Sequence, residues 1–390
     1  MREEKRKSKF LMLAILSLSL LTVMAGAAVA PALGVVKAYF SDTNPLFIQM
    51  VVSMPAIFIV FTNFLFPKLC RYMGSKTLVM LGLILYTFGG CSAGLFSNIF
   101  LVLAARALVG FGVGIIMPLS TGLLSYYFAP EEQEKLMGYS SAMNQMGGVV
   151  ATLLSGLLAV ISWRASFLVY LLGLISMIAC FFFLPNDRIK NEDSEGTKTN
   201  VGKVFYHNAS FVVGMFLLMV TFYIYPTNFA IEVASEGVIP QQYVAIIMAF
   251  MDFVAFLGGL FFVKVKILFQ KKTRFVAPIL FLIGYLLMTL VGGWIGNLTG
   301  SVFIGFANGM GIPYIISTAS KKAGLSAVTT VIPLISAALY LAQFLTPMIV
   351  SFVTSLVGSG VLHLPYWTAI VCAICFLLWS HRIKDEEPMG

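Results

Sequence analysis

Twelve apolar runs, each about twenty residues long and separated by short polar intervals, organise this chain from end to end. A hydrocarbon layer about 30 Å thick is crossed by about 20 helical residues rising about 1.5 Å each, so each run is sized to span a membrane once. Windows of about 19 residues place the spans near 10–36, 46–66, 77–97, 99–122, 136–160 and 165–185, then near 207–230, 241–263, 275–295, 297–319, 328–356 and 361–380. Composition closes off a water-soluble alternative. Hydrophobic side chains make up 59% of the 390 residues and charged ones 11%, where soluble domains average about 45–50% and about 25%. The mean hydropathy of +0.94 agrees. The predicted fold class is an all-α integral membrane protein of 12 transmembrane helices.

The charges sort by side. With the N-terminus inside, 22 of the 25 Lys and Arg fall on inside segments, Lys37 and Arg164 fall outside, and Arg106 lies within a span. This bias predicts a multi-pass protein of the cell membrane with both termini cytoplasmic. It also accounts for the net charge of +9 without a nucleic-acid partner. The basic N-terminus, the run from Phe10 and the small residues Ala28-Val29-Ala30 imitate a secretory signal. The run is too long for one, and it reads as the first span.

Shifting the chain by 195 residues aligns it with itself at positions that shape backbone. Pro31 and Pro45 meet Pro226 and Pro240. Gly89 meets Gly284; Gly110, Gly114 and Pro118 meet Gly305, Gly309 and Pro313; and Arg71 and Lys76 meet Lys266 and Lys271. Six spans per copy is an even number, so the copies are parallel repeats about an axis along the membrane normal. The predicted organisation is an N-terminal six-helix bundle over 1–185, a polar cytoplasmic linker over 186–205 and a C-terminal bundle over 206–390. One chain then encloses a midplane cleft and is expected to be monomeric in the bilayer.

The loop Pro67-Lys-Leu-Cys-Arg-Tyr-Met-Gly-Ser-Lys76 is similar to the G-x-L-x-D-x-x-G-R-[RK] loop of the major facilitator superfamily. Leu69, Gly74 and Lys76 match, while Arg71 stands where that family has Asp. Arg106-Ala-Leu-Val-Gly110-Phe-Gly112 resembles the family's R-x-x-Q-G-x-G. The run from Gly147 to Gly156 resembles the antiporter motif G-x-x-x-G-P-x-x-G-G, with Ala151-Thr152 in place of Gly-Pro. Ala30-Pro31-Ala32-Leu33 and Trp163-Arg164-x-x-Phe167 fit as well. The chain thus resembles the superfamily over essentially its full length, and within it the drug–proton antiporter branch. The resemblance implies that Leu69, Arg71, Gly74, Lys76, Gly110, Gly112, Gly147 and Gly156 serve conformational gating. It also implies a link between Arg106 and proton coupling. The family Asp latches a neighbouring helix, so with Arg71 in its place any latch here must differ.

Two charges inside the spans have no counterpart 195 residues away, where Arg106 meets Ser301 and Asp252 meets Ile57. Symmetric features build a scaffold, so these asymmetric charges are the candidates for mechanism. An ionised Asp252 mid-span costs about 2.5–3.5 kcal/mol or more. Burial and a nearby cation move a carboxyl's proton affinity in opposite directions, so a carboxyl shuttled between such environments can carry a proton. The alternative is a protonated Asp252 bonding a neighbouring helix. Arg106 either tunes protonation and holds an anion or bonds carbonyls of the first span. Tyr223, Tyr225, Asn228, Asn144, Gln145, Asn308, Tyr314, Tyr340 and Gln343 are candidates to line the substrate cavity, or else join helices. Glu232, Glu236 and Asp42 fall outside and read as solvated.

With three His and five Cys, no metal or redox centre is expected. Cys372-x-x-Cys375 lies within the last span and reads as two small packed residues. No phosphate-binding loop or catalytic triad occurs, so neither enzyme nor ATP-driven pump is expected, and no cofactor. The energy would come from a gradient: about 1.4 kcal/mol per pH unit and about 2.3 kcal/mol per charge per 100 mV. The sequence points to proton-coupled export of small hydrophobic or amphipathic compounds by alternating access, with small-molecule substrate and protons as its partners. The alternative is proton-coupled uptake or exchange of a small organic anion.

Overall fold

Helices begin and end where the polar intervals interrupt the apolar runs. The computed structural model describes residues 2–187, 201–358 and 360–383. Thirteen α-helices occur among them: α1 Arg2–Ala27, α2 Leu33–Tyr39, α3 Pro45–Tyr72, α4 Ser75–Ala93, α5 Ile99–Tyr127, α6 Pro130–Ile161, α7 Trp163–Ser166, α8 Leu172–Phe183, α9 Val201–Glu236, α10 Gln241–Phe269, α11 Val276–Leu286, α12 Gly293–Val357 and α13 Leu364–Trp379. No strand is present among the described residues. By length and apolar composition, 11 segments among the described residues can cross a membrane. One of them, Gln241–Val291, has 51 residues and holds both α10 and α11. At about 1.5 Å per residue it is long enough for two crossings, which reconciles 11 segments with twelve spans.

The spans near 297–319 and 328–356 differ from expectation in one respect. Helical backbone runs through both as α12, which has 65 residues. The join, Ala323-Gly-Leu-Ser-Ala-Val, carries a single glycine and no proline before Pro333, so nothing in it forbids helical backbone.

Two compact units form, Met1–Glu192 with Gln241–Ala249, and Asp193–Pro240 with Phe250–Gly390. In the first, α1 packs on α6, α5 and α8, and α4 packs on α5 and α8. In the second, α9 and α11 each pack on α12 and α13. The 195-residue offset reappears in this packing. A Cβ on Gly89 would sit 2.8 Å from Ala105 O and 3.0 Å from Val109 N, and one on Gly284 would sit 2.9 Å from Gly300 O and 3.3 Å from Ile304 N. Both acceptors and both amides are 195 residues apart, so each pair of helices meets at the same small-residue contact.

The prolines are less symmetric. Around Pro31 the chain leaves α1 for a 3₁₀ turn, Ala30–Ala32, before α2, whereas Pro226 stays inside α9. Five residues before it, the Thr221 hydroxyl donates to Leu217 O at 2.8 Å and the Thr221 carbonyl accepts the Tyr285 hydroxyl at 2.6 Å, where the matching position in the first copy is Gly26.

Part of the predicted linker, residues 188–200, lies outside the described residues. Asn186 and Asp187, its first two residues, dock on the α3–α4 turn. Asp187 O accepts from Ser75 N at 2.8 Å, and the Asn186 side chain occupies the space a Cβ on Gly74 would need. At the other end of the unit, Arg164 donates to Gly94 O at 3.1 Å, Tyr39 Oη at 3.0 Å and Ser97 Oγ at 3.0 Å, tying three connections together.

Candidate functional site

Arg106 is fully buried in α5. A guanidinium in an apolar bundle must find acceptors, and it does so on three elements. Nε donates to Val51 O of α3 at 2.7 Å, Nη2 to Ala25 O of α1 at 2.5 Å, and Nη1 to the Tyr170 hydroxyl. Tyr170 in turn donates to Ala25 O at 2.8 Å. Ala25 O belongs to the first span, whereas Val51 O of α3 and the Tyr170 hydroxyl are partners that sequence reasoning did not name. Position 106 is thereby a rivet between α1, α3 and α5.

The second unit fills the equivalent position with neutral groups. Ser301 Oγ lies 2.8 Å from the Tyr225 hydroxyl and donates to Asn297 O at 2.7 Å. Tyr285 supplies a second buried hydroxyl, bonded to α9 through Thr221. Half-buried Asp252 on α10 lies within electrostatic range of the hydroxyls of Tyr223 and Tyr225, as Tyr340 does of Tyr223. Four residues picked from sequence, Asp252, Tyr223, Tyr225 and Tyr340, therefore share one polar cluster among α9, α10 and α12. Ser301 and Tyr285 complete it; neither carries a charge that would have marked it within an apolar run.

The remaining candidates are dispersed. Asn228 turns back onto its own helix, donating to Ile224 O at 2.9 Å and Thr227 Oγ1 at 3.0 Å. Asn144 accepts from the Thr22 hydroxyl, and one turn away Ser19 and Ser140 lie 2.7 Å apart; together they form a polar seam between α1 and α6. Gln145 on α6 is half-buried beside that seam. Tyr314 lies under the Lys266 ammonium, 5.8 Å from its ring centre, and lines a small cavity with Arg274, Met310 and Ile383. Asn308 and Gln343 lie on α12. Gln343 is buried, and Asn308 Oδ1 is shut off from solvent without a hydrogen-bond partner.

The glycines mark close approaches of backbone. A Cβ on Gly110 would strike Pro55 O, one on Gly112 would lie 2.6 Å from Gly82 O, and ones on Gly147 and Gly156 would strike Leu20 O and Ala245. In the α3–α4 turn, Leu69 O caps α3 by accepting from Met73 N at 3.0 Å. Arg71 is exposed, and the Lys76 ammonium lies 4.9 Å from the Phe181 ring centre. Asp187 reaches this turn through its backbone carbonyl, and its carboxylate accepts the Tyr127 hydroxyl at 3.0 Å.

Across residues 12–347 the sequence matches the profile of the Major Facilitator Superfamily. The chain belongs to that superfamily. This facilitator is 26% identical over 140 residues to the riboflavin transporter RibZ of Clostridioides difficile (strain 630), covering 35% of this chain and 31% of RibZ. It is 23% identical over 248 residues to multidrug resistance protein 3 of Bacillus subtilis (strain 168), covering 57% and 46%. The chain thus spans less than half the length of either relative. Its fold is similar to a bacterial homologue of the human lysosomal transporter Spinster in an inward-facing, unoccupied conformation, with a TM-score of 0.78 at 14% identity over 98% of this chain and 99% of that one. The superfamily and these neighbours are transporters, not enzymes, and this facilitator is a multi-pass membrane protein.

Proposed function

We propose that this facilitator is a secondary active transporter that exports small hydrophobic or amphipathic compounds in exchange for protons. The observation that carries this reading is the Asp252 cluster: an acid in the middle of a membrane helix, within electrostatic range of the hydroxyls of Tyr223 and Tyr225. Aromatic walls with one ionisable group suit amphipathic cations and neutral solutes, and a carboxyl among hydroxyls can hold a proton or release it to a wet path. The drug-resistance relative supports this substrate class. Arg106 acts as a positioning residue, since its donors are engaged by Ala25, Val51 and Tyr170. In this reading the chain is a monomer in the cell membrane with both termini cytoplasmic. It consists of two bundles, 1–185 and 206–390, joined by a linker over 186–205, and works by alternating access.

The test uses purified protein in liposomes holding a pH-sensitive dye, with an inside-acid gradient and a panel of lipophilic cations, neutral drugs and organic anions. Cations or neutral drugs are expected to drive proton flux in the wild type and none in Asp252→Asn. Flux with anions alone, or full activity in the variant, overturns the mechanism and favours anion transport.

A further inference from the structure

Where α9 ends and α13 begins, sequence reasoning expects solvated carboxylates, and the structure does not have them. Glu232 and Glu236 sit one turn apart on α9, and their side chains are 16% and 13% exposed. Between them and α13 lies His363, 10% exposed, with Nδ1 3.2 Å from Glu232 Oε2 and 3.5 Å from Glu236 Oε1. Glu236 Oε1 is closed to solvent and accepts no hydrogen bond, so the imidazole is the charge available to compensate it. The imidazole is held in place by its backbone. His363 has φ 55, a left-handed conformation uncommon outside glycine, and its carbonyl caps α13 by accepting from Tyr366 N at 2.9 Å and Trp367 N at 3.1 Å.

We infer that His363, Glu232 and Glu236 form a second proton-binding site, separate from Asp252, whose protonated imidazole pins the end of α9 to the start of α13. Like charges one turn apart repel, and a mostly buried carboxylate without a counter-charge is costly. An imidazolium answers both, whereas a neutral ring has one N–H to offer and no charge. Histidine is the side chain that ordinarily gains charge between about pH 8 and 5, and only the charged ring makes the pin. The groups facing His363 are Glu232 and Glu236 from α9 and Tyr366 from its own helix, stacked at 5.8 Å. Among the described residues no group of three His, Cys, Asp or Glu is arranged to hold a metal ion.

The site also touches the mechanism. Tyr366 lies within the field of both glutamates and of Tyr225 and Tyr285, whose ring centre is 6.0 Å away. Release would free the α9 segment beyond Pro226, on the helix that carries Tyr223 and Tyr225. That consequence rests on the proton-coupled reading above; the pH-dependent pinning does not.

The experiment is amide hydrogen exchange on the full chain in detergent, near pH 5.5 and near pH 8, without substrate or gradient and corrected for the intrinsic pH dependence of exchange. Protection over 229–236 is expected to fall on the order of tenfold at the higher pH. His363→Lys, a permanent cation, is expected to stay protected at both, and His363→Gln to be equally unprotected at both. Equal wild-type protection at the two pH values, or a pH response surviving in His363→Gln, overturns the proposal. Because no transport is measured, pinning found in a protein that shows no proton flux would sink the transport reading alone.

Discussion

Arg106 and Asp252 are both ionisable side chains inside apolar helices, yet their surroundings give them different tasks. Arg106 spends its donors on backbone carbonyls of two other helices and on Tyr170, while Asp252 lies within electrostatic range of hydroxyls. Lysine keeps the charge at position 106 but presents a point donor that cannot serve three acceptors on separate elements. Arg106→Lys is therefore expected to destabilise the protein by about 3 kcal/mol, read as a lower Tm in detergent. An unchanged Tm would remove the rivet from the account. Both charges were legible in the sequence because a charge in an apolar run is rare. Their partners were not: Tyr170, 64 residues from Arg106, is one aromatic among many until folding brings it alongside. His363 and Asp187 escaped for a related reason, since nothing in the sequence names the partners that lie 131 and 60 residues away.

Helix pairs in both units meet through glycine, and the matched contacts make a matched prediction. Gly89→Ala and Gly284→Ala each force a methyl to within 3 Å of a carbonyl oxygen across the helix interface. Each is expected to cost about 1–3 kcal/mol by overpacking, with similar losses in the two units. Gly122→Ala and Gly138→Ala, where a Cβ meets nothing within 4 Å, are expected to leave the melting temperature unchanged or slightly raised. A large difference between the first two variants would mean that the shared offset does not carry shared packing. Element boundaries followed the alternation of apolar and polar segments closely. They departed from it at the join within α12 and at Pro226, which stays inside α9.

At the scale of the whole molecule the charge bias predicts a topology that labelling can check. In a cysteine-free background, Leu362→Cys is expected to react with a membrane-impermeant maleimide from outside intact cells, and Lys271→Cys only after permeabilisation. Both positions are exposed. The reverse pattern would invert the protein in the membrane and put the His363 site on the cytoplasmic face. Apolar run length, charge bias and a fixed repeat offset are one-dimensional properties, set by membrane thickness and by chain order, and the sequence alone determined them: an all-helical membrane protein with two unmatched charges. Which groups those charges meet was decided by tertiary structure. Hydrogen bonds and ion pairs act over about 3 Å, and only packing brings residues 64 or 131 positions apart to that distance. That is why Tyr170 joins Arg106, Asp187 fastens the α3–α4 turn, and His363 lies between two glutamates.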